Sequence, residues 1–193
     1  MESHGPPLLA LMAFDPPVHI FGGFAEDALL HGASVRPHDD VDVLVGRNEL
    51  PTHLENARAI GFTAHEVRFE PIGGRPMVIG TTDGDWDLEI SVYDRTPDGN
   101  VCFYIPDQTG KLFRVDLSDG VFDSPLAELD GIALRTVSPL ALYQIRAGIT
   151  MVGSFGPPRP KDVASQEALR ARFFPDASSE SLEPALTASP TPT

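Results

Sequence analysis

The sequence predicts an α/β protein of the α+β kind, a mixed β-sheet with helices on one side and a small helical flank at the C-terminal end. Three observations predict it. The strand-like run VHIF (18–21) passes through Gly22-Gly23 into the helical pattern FAEDALLHG, then through a loop to the alternating run DVDVLV (40–45), giving strand, helix, strand. The middle of the chain is a series of β-branched and aromatic runs separated by turn residues. Two helical patterns follow, the first opened by Ser138-Pro139, a capping residue with proline in the first turn.

Taken in order, residues 7–13 are apolar enough for one or two helical turns, ended by DPP at 15–17. In FAEDALLHG, Phe24, Ala28 and Leu29 share a helical face, and Gly32 stands where a C-terminal glycine belongs. ASVRPHD carries a proline and reads as a loop. Asn48 is placed to cap a helix that runs to about Ile60 and stops at Gly61. FTAHEVRFEPI, RPMVIGTT and DWDLEISVY read as three strands, joined by a Gly-Gly turn at 73–74 and an Asp-Gly-Asp turn at 83–85. VCFYI and KLFRV read as a hairpin, and GIALRTV (131–137) as one more strand. LALYQIRAGITMV is a helix, and the loop GPPRPKD (156–162) feeds a last one, VASQEALRARFF. This divides the chain into a domain over 1–137, a helical flank over 138–174 packed on it, and a tail over 175–193 whose Ser, Pro, Thr, Ala and Glu predict disorder.

Composition narrows the function. The 193 residues are 41% hydrophobic, a globular figure, and contain no run long and apolar enough for a membrane span. The first residues lack the basic start and apolar centre of a secretion signal, so a cytoplasmic location is the expectation. The single Cys102, in the β-type run VCFYI, excludes an internal disulfide and a thiolate metal cluster and reads as a packed core residue. A net charge of −14, with Lys111 and Lys161 the sole lysines, argues against broad contact with nucleic-acid backbone.

The informative residues are acidic. Side chains alternate along a strand, so Asp40 and Asp42 share one face of DVDVLV while Val41 and Val43 point to the core. Leaving two such carboxylates half-buried without a partner is costly. Two oxygen donors about 7 Å apart suit Mg²⁺, which favours carboxylates together with substrate phosphates. Asp39 falls on the opposite face or in the loop. DWDLEIS repeats the device, with Asp85, Asp87 and Glu89 on one face and Trp86, Leu88 and Ile90 on the other. If the two strands are neighbours, Asp87 is the central third carboxylate. Gly22-Gly23, between a strand and a helix, lets backbone N–H groups approach an anion at a helix N-terminus. Each feature alone has a plainer reading, a steric glycine turn or the acidic face of an edge strand. Together they form a less common constellation.

The string GGFAEDALLHGASVRPHDDVDVLV (22–45) resembles the opening motif of the minimal nucleotidyltransferases of the polymerase-β superfamily, above all the aminoglycoside and lincosamide adenylyltransferases. The matching positions are Gly22, Gly23, Phe24, Ala25, Asp27, Arg36, His38, Asp40 and Asp42. The likeness extends over about residues 8–92, with a familiar loop at GPPRPKD, while 93–137 has no counterpart. The resemblance implies a palm-like nucleotidyltransferase sheet and transfer of a nucleoside monophosphate, AMP by preference, from an NTP such as ATP to an acceptor hydroxyl, with release of pyrophosphate. It implies that Asp40, Asp42 and Asp87 hold Mg²⁺, two ions in all, and that Asp87 or Glu89 takes the hydroxyl proton. Gly22 and Gly23 would meet the β- and γ-phosphates through their N–H groups.

Other residues keep two readings each. Arg36 pairs with a phosphate or pins the loop to Asp27, and His38 is a structural hydrogen-bonder in that loop in preference to a ligand. Arg159 and Lys161 contact phosphate or form a solvated first turn capped by Asp162. Trp86 reads as core. The expected acceptor is a small hydroxylated molecule of aminoglycoside type, which the acidic face of 83–94 would suit. The alternatives are AMP transfer to a protein hydroxyl, as in toxin–antitoxin relatives of the fold, and a catalytically inactive nucleotide-binding or interaction module.

Overall fold

In the computed structural model, which describes residues 5–69, 78–83, 85–154 and 156–188, the alternation in DVDVLV is realised as a strand with Val41 and Val43 buried and Asp40 exposed. The elements in chain order are α1 (Gly5–Met12), β1 (His19–Phe21), α2 (Gly22–Leu30), β2 (Asp40–Gly46), α3 (Leu50–Ala59), β3 (Ala64–Phe69), β4 (Val78–Thr82) and β5 (Asp87–Arg95). After these come β6 (Val101–Pro106), β7 (Leu112–Asp116), β8 (Ala127–Leu129), β9 (Ile132–Leu134), α4 (Pro139–Val152), α5 (Pro160–Phe173), α6 (Ser179–Leu182) and β10 (Ala185–Ala188). The Gly-Gly turn expected at 73–74 and Gly84 of the Asp-Gly-Asp turn lie outside the described residues. None of the described helices is long and apolar enough to cross a membrane.

The chain forms two units, residues 1–93 with 124–137, and residues 94–123 with 138–193. The sheet of the first unit runs β1, β2, β5, β4, β3, with β2 and β5 parallel and the other pairs antiparallel. Its core is built from Leu8, Leu11, Ile20, Phe24, Val41, Val43, Leu88 and Ile90, each at most 1% exposed. Helices α2 and α3 pack on β2, and α1 packs on β9.

GIALRTV, expected as one strand, does two jobs. Ile132–Leu134 closes a hairpin with β8 across Asp130 and Gly131, both at positive φ, the backbone an Asp-Gly hairpin turn requires. Arg135–Val137 then runs beside β1, with Ile20 donating its N–H to Arg135 O and accepting from Val137 N–H. Helix α3 also departs from expectation. It begins at Leu50 with Glu49 at its N-cap and no side-chain capping bond, so Asn48 does not cap it.

In the second unit the last residues of β5, Asp94 and Arg95, pair with Cys102 and Val101 of β6, and β6 and β7 form the expected hairpin. Cys102 is buried, as a packed core residue should be. Helix α4 lies on β6 and β7, and the bare Cα of Gly148 lets it close on Val115. Ser138 caps α4 by accepting from Ala141 N–H. The Gln144 side chain accepts from Ser118 N–H and donates to Ser118 Oγ, tying down the loop after β7.

Residues 175–188, whose composition predicts disorder, are ordered. They form the turn α6, with Leu182 buried, and β10, which pairs antiparallel with β7 from Ala185–Asp116 to Ala188–Phe113. The open edge of β7 supplies the hydrogen bonds that the segment's own composition does not call for.

Candidate active site

The parallel register of β2 and β5 sets the site. Asp40 lies opposite Asp87 and Asp42 opposite Glu89, while Val41 faces Leu88 and Val43 faces Ile90. The four carboxylates therefore share one face of two neighbouring strands and the aliphatic partners share the core face. Asp40 and Asp87 are exposed, and Asp42 and Glu89 are half-buried.

The glycine turn stands over this row. β1 and β2 pair so that Phe21 is opposite Asp42, and the chain then turns directly into α2 at Gly22. Gly22 has φ of 67°, in the left-handed region that glycine reaches without strain. A Cβ on Gly22 would collide with Oδ2 of Asp42 and lie 2.6 Å from its Cγ. Only glycine therefore allows the Asp42 carboxylate to lie against the start of the helix. Phe21, at the N-cap position, supplies no side-chain acceptor to the first amides of α2, which leaves the end of the helix suited to an anion.

Gly23 is enclosed from the other side. A Cβ there would lie 2.5 Å from His38 Nδ1 and 3.2 Å from Arg36 Nη2. Asp27, one helical turn on, is 1% exposed, and its Oδ2 takes both the Val35 N–H (2.9 Å) and His38 Nε2 (2.8 Å). A carboxylate only accepts, so Nε2 carries the hydrogen. His38 rests on the Phe24 ring at 4.2 Å between centroids, and Phe24 is 6.1 Å from Trp86. Trp86, expected in the core, is partly exposed and borders it.

The structure thus brings together Gly22 with Asp42, Gly23 with Arg36, Asp40 with Asp87 and Asp42 with Glu89. His38 is the structural hydrogen-bonder expected. Arg36 does not pin the loop to Asp27. Its Nη2 lies 3.6 Å from Glu26 Oε2, and Asp27 is taken by His38. Asp27 was visible in sequence as a motif position and a candidate partner for Arg36, but not as the buried partner of His38. The available signal was its position four residues after Gly23, which puts both on one side of the helix.

Lys161 lies in the second unit, exposed in the first turn of α5. Its neighbour Arg159 donates to Asp162 through Nε (2.6 Å) and Nη2 (3.0 Å), and Arg146 Nη1 of α4 reaches the same carboxylate at 3.5 Å. Asp162 is buried and ties α4 to α5, a larger role than capping a solvated turn.

Among the described residues no three His, Cys, Asp or Glu side chains form a ready-made metal cage. The donor set nevertheless fits Mg²⁺, which takes hard oxygen ligands and is commonly held by one or two carboxylates completed by substrate phosphates and water. The contact between Asp42 and the glycine turn puts those carboxylates next to the end of α2 suited to phosphate.

The architecture is a nucleotidyltransferase fold. It is similar to the solution structure of the antibiotic-resistance factor ANT(2'')-Ia, at 18% identity and a TM-score of 0.63 over 91% of this chain and 84% of that one. The crystal structure of ANT(2'')-Ia with adenylyl-2''-tobramycin gives 0.61 at 18% identity over 91% and 90%. The lincomycin-bound lincosamide antibiotic adenylyltransferase LnuA gives 0.58 at 16% identity over 89% and 97%. No protein-family model matches the chain, and no curated protein sequence matches it.

Proposed function

We propose that the protein is a Mg²⁺-dependent nucleotidyltransferase that moves AMP from ATP to a hydroxyl of a small, aminoglycoside-like acceptor and releases pyrophosphate. The observation that carries this reading is the in-register row of Asp40, Asp87, Asp42 and Glu89 beside a left-handed glycine turn that only glycine permits. The fold supports it, since similar solved structures are antibiotic adenylyltransferases with lincomycin or an adenylylated tobramycin bound.

In this reading Asp40, Asp42 and Asp87 hold two Mg²⁺ ions, which when bound neutralise triphosphate charge and lower the pKa of a nearby hydroxyl. Glu89, half-buried and opposite Asp42, takes the proton of the acceptor hydroxyl as its oxygen attacks the α-phosphorus and pyrophosphate leaves. The amides of Gly22 and Gly23 orient the phosphates, with Arg36 beside Gly23 as a further cation for them. The acidic residues Asp83, Asp85, Asp87 and Glu89 favour an acceptor bearing amines.

The thermal midpoint is measured with each of the four NTPs, with and without Mg²⁺, for the wild type and Asp42→Asn. A nucleotide at about 100 times its Kd stabilises the fold by roughly 2.7 kcal/mol. A Mg²⁺-dependent rise, largest with ATP and lost in Asp42→Asn, is expected, followed by pyrophosphate release when an aminoglycoside is added. No shift with any nucleotide would overturn the reading.

A further inference from the structure

The two glycines of the turn each press on one residue of the 38–42 segment, Gly22 on Asp42 and Gly23 on His38. The contacts differ in what stands behind them. Asp42 is fixed by the register of β2 with β1 and β5. His38 lies in the loop before β2, where no ladder holds it, and is anchored instead by Asp27 of the same helix that begins at the glycines. Because Asp27 follows Gly23 by four residues, the helix presents both on one side, and the His38 ring spans them, with Nε2 on Asp27 and its Nδ1 edge against Gly23. The same Oδ2 takes the Val35 N–H, so one buried oxygen fastens two points of the loop. The His38 and Asp27 side chains are 4% and 2% exposed. Water therefore competes little for this bond, and breaking it would leave a buried polar group without its partner.

We propose that the buried Asp27–His38 pair is a positioning latch, fixing the glycine turn against the start of β2 so that the phosphate-binding amides and the carboxylates are presented at a set spacing. The proposal rests on the nucleotidyltransferase reading and adds to it two residues that touch neither phosphate nor metal. Such spacing matters because displacements of about 1 Å in a site of this kind cost up to about 100-fold.

The test uses Asp27→Ala and His38→Ala, which break the latch, against Asp27→Asn and His38→Gln, which keep an acceptor at Oδ and a donor at Nε2. MgATP affinity is measured by calorimetry. Backbone amide exchange is measured at Gly22, Gly23 and 40–42 without nucleotide. The alanine variants are expected to bind MgATP roughly 10- to 100-fold more weakly, with faster exchange at both the turn and the strand start. Asp27→Asn and His38→Gln should stay within about three-fold of wild type, and the double alanine variant should lose no more than the worse single one. Should an alanine variant fail to fold, Asp27→Ser and His38→Asn replace it.

Alanine variants that bind MgATP as wild type does would overturn the latch, as would Asn and Gln variants that lose as much as alanine. If the wild type itself binds no MgATP, the proposed function falls and exchange alone decides. Faster exchange at both segments in Asp27→Ala supports the latch, and unchanged exchange overturns it.

Discussion

At the start of β2 a carboxylate is pressed against the first turn of a helix, and at its finish another is set beside a buried histidine. Both ends use a glycine at a close approach. Gly22 meets Asp42, while a Cβ on Gly46 would lie 3.0 Å from Glu49 Oε2 and 3.3 Å from Tyr93 Oη. The start is held by backbone, through a positive φ and two strand registers. The finish is paired too, Gly46 with Tyr93, but what Gly46 closely meets there is the tips of side chains. Glu49, 46% exposed, lies 4.0 Å from His53 Nε2, and His53 is 1% exposed with Phe14 stacked on it at 6.2 Å between centroids. Where backbone sets a contact, the geometry persists when a substrate or ion arrives. Where a long side chain sets it, the contact can relax. That contrast supports placing the chemistry at the start of β2.

The largest expected effect is at the backbone-held end. Gly22→Ala puts a β-carbon into Asp42 at a left-handed residue, and the backbone strain alone costs about 1–2 kcal/mol. For a chain of this length that lowers the thermal midpoint by roughly 2–8 °C. Displacement of Asp42 should cost about 100-fold or more in MgATP-dependent turnover. A fully active Gly22→Ala protein would show that the tight contact is dispensable.

That site was the most legible part of the chain because its signals are local. Period-two alternation put Asp40 with Asp42 and Asp87 with Glu89, and glycine between a strand and a helix marked the turn. The adjacency of β2 and β5 was a condition the sequence could pose but not meet, since pairing partners are set by the whole sheet. The Asp-Gly turn at 130–131 was written in the chain but hidden by the apolar run that follows it. β10 was not legible, because a Ser- and Pro-rich segment is ordered here by an edge strand some seventy residues earlier. The choice of Glu26 for Arg36 and of Asp27 for His38 depends on the path of a loop, and adjacent acids on a helix point in different directions.

An intermediate effect is expected at the side-chain-held end, and pH reveals it. Burial lowers the His53 pKa below its ordinary value, and Glu49 partly opposes this. Among the described residues, neither ring nitrogen of His53 has a hydrogen-bond partner. A lowered histidine binds its proton more readily in the unfolded chain. Its neutral form therefore favours the fold above the unfolded pKa of about 6.5, and that contribution is lost as pH falls through the folded value. His19, lowered by burial and then by Arg135, acts in the same direction. The wild-type midpoint should fall between about pH 7 and pH 5, and His53→Leu should fall less while keeping the slope due to His19. An identical slope in the two proteins would remove His53 as its source.

The smallest effect, and the sharpest contrast with Gly22, is expected from Gly46→Ala. Gly46 is not at positive φ, so alanine meets no backbone strain there. Its new methyl group meets the tip of Glu49, which is half exposed and can swing into solvent, and the Tyr93 hydroxyl gives a few tenths of an ångström. Stability at neutral pH should change by no more than about 0.5 kcal/mol. Moving Glu49 has a second consequence, because its charge is what opposes the lowering of the His53 pKa. With Glu49 turned away, the folded protein should hold the His53 proton less readily, so Gly46→Ala should lose more stability than wild type on acidification while matching it at pH 7.5. A loss already present at neutral pH would mean that the finish of β2 is as rigid as its start, and the distinction between the two ends would fail.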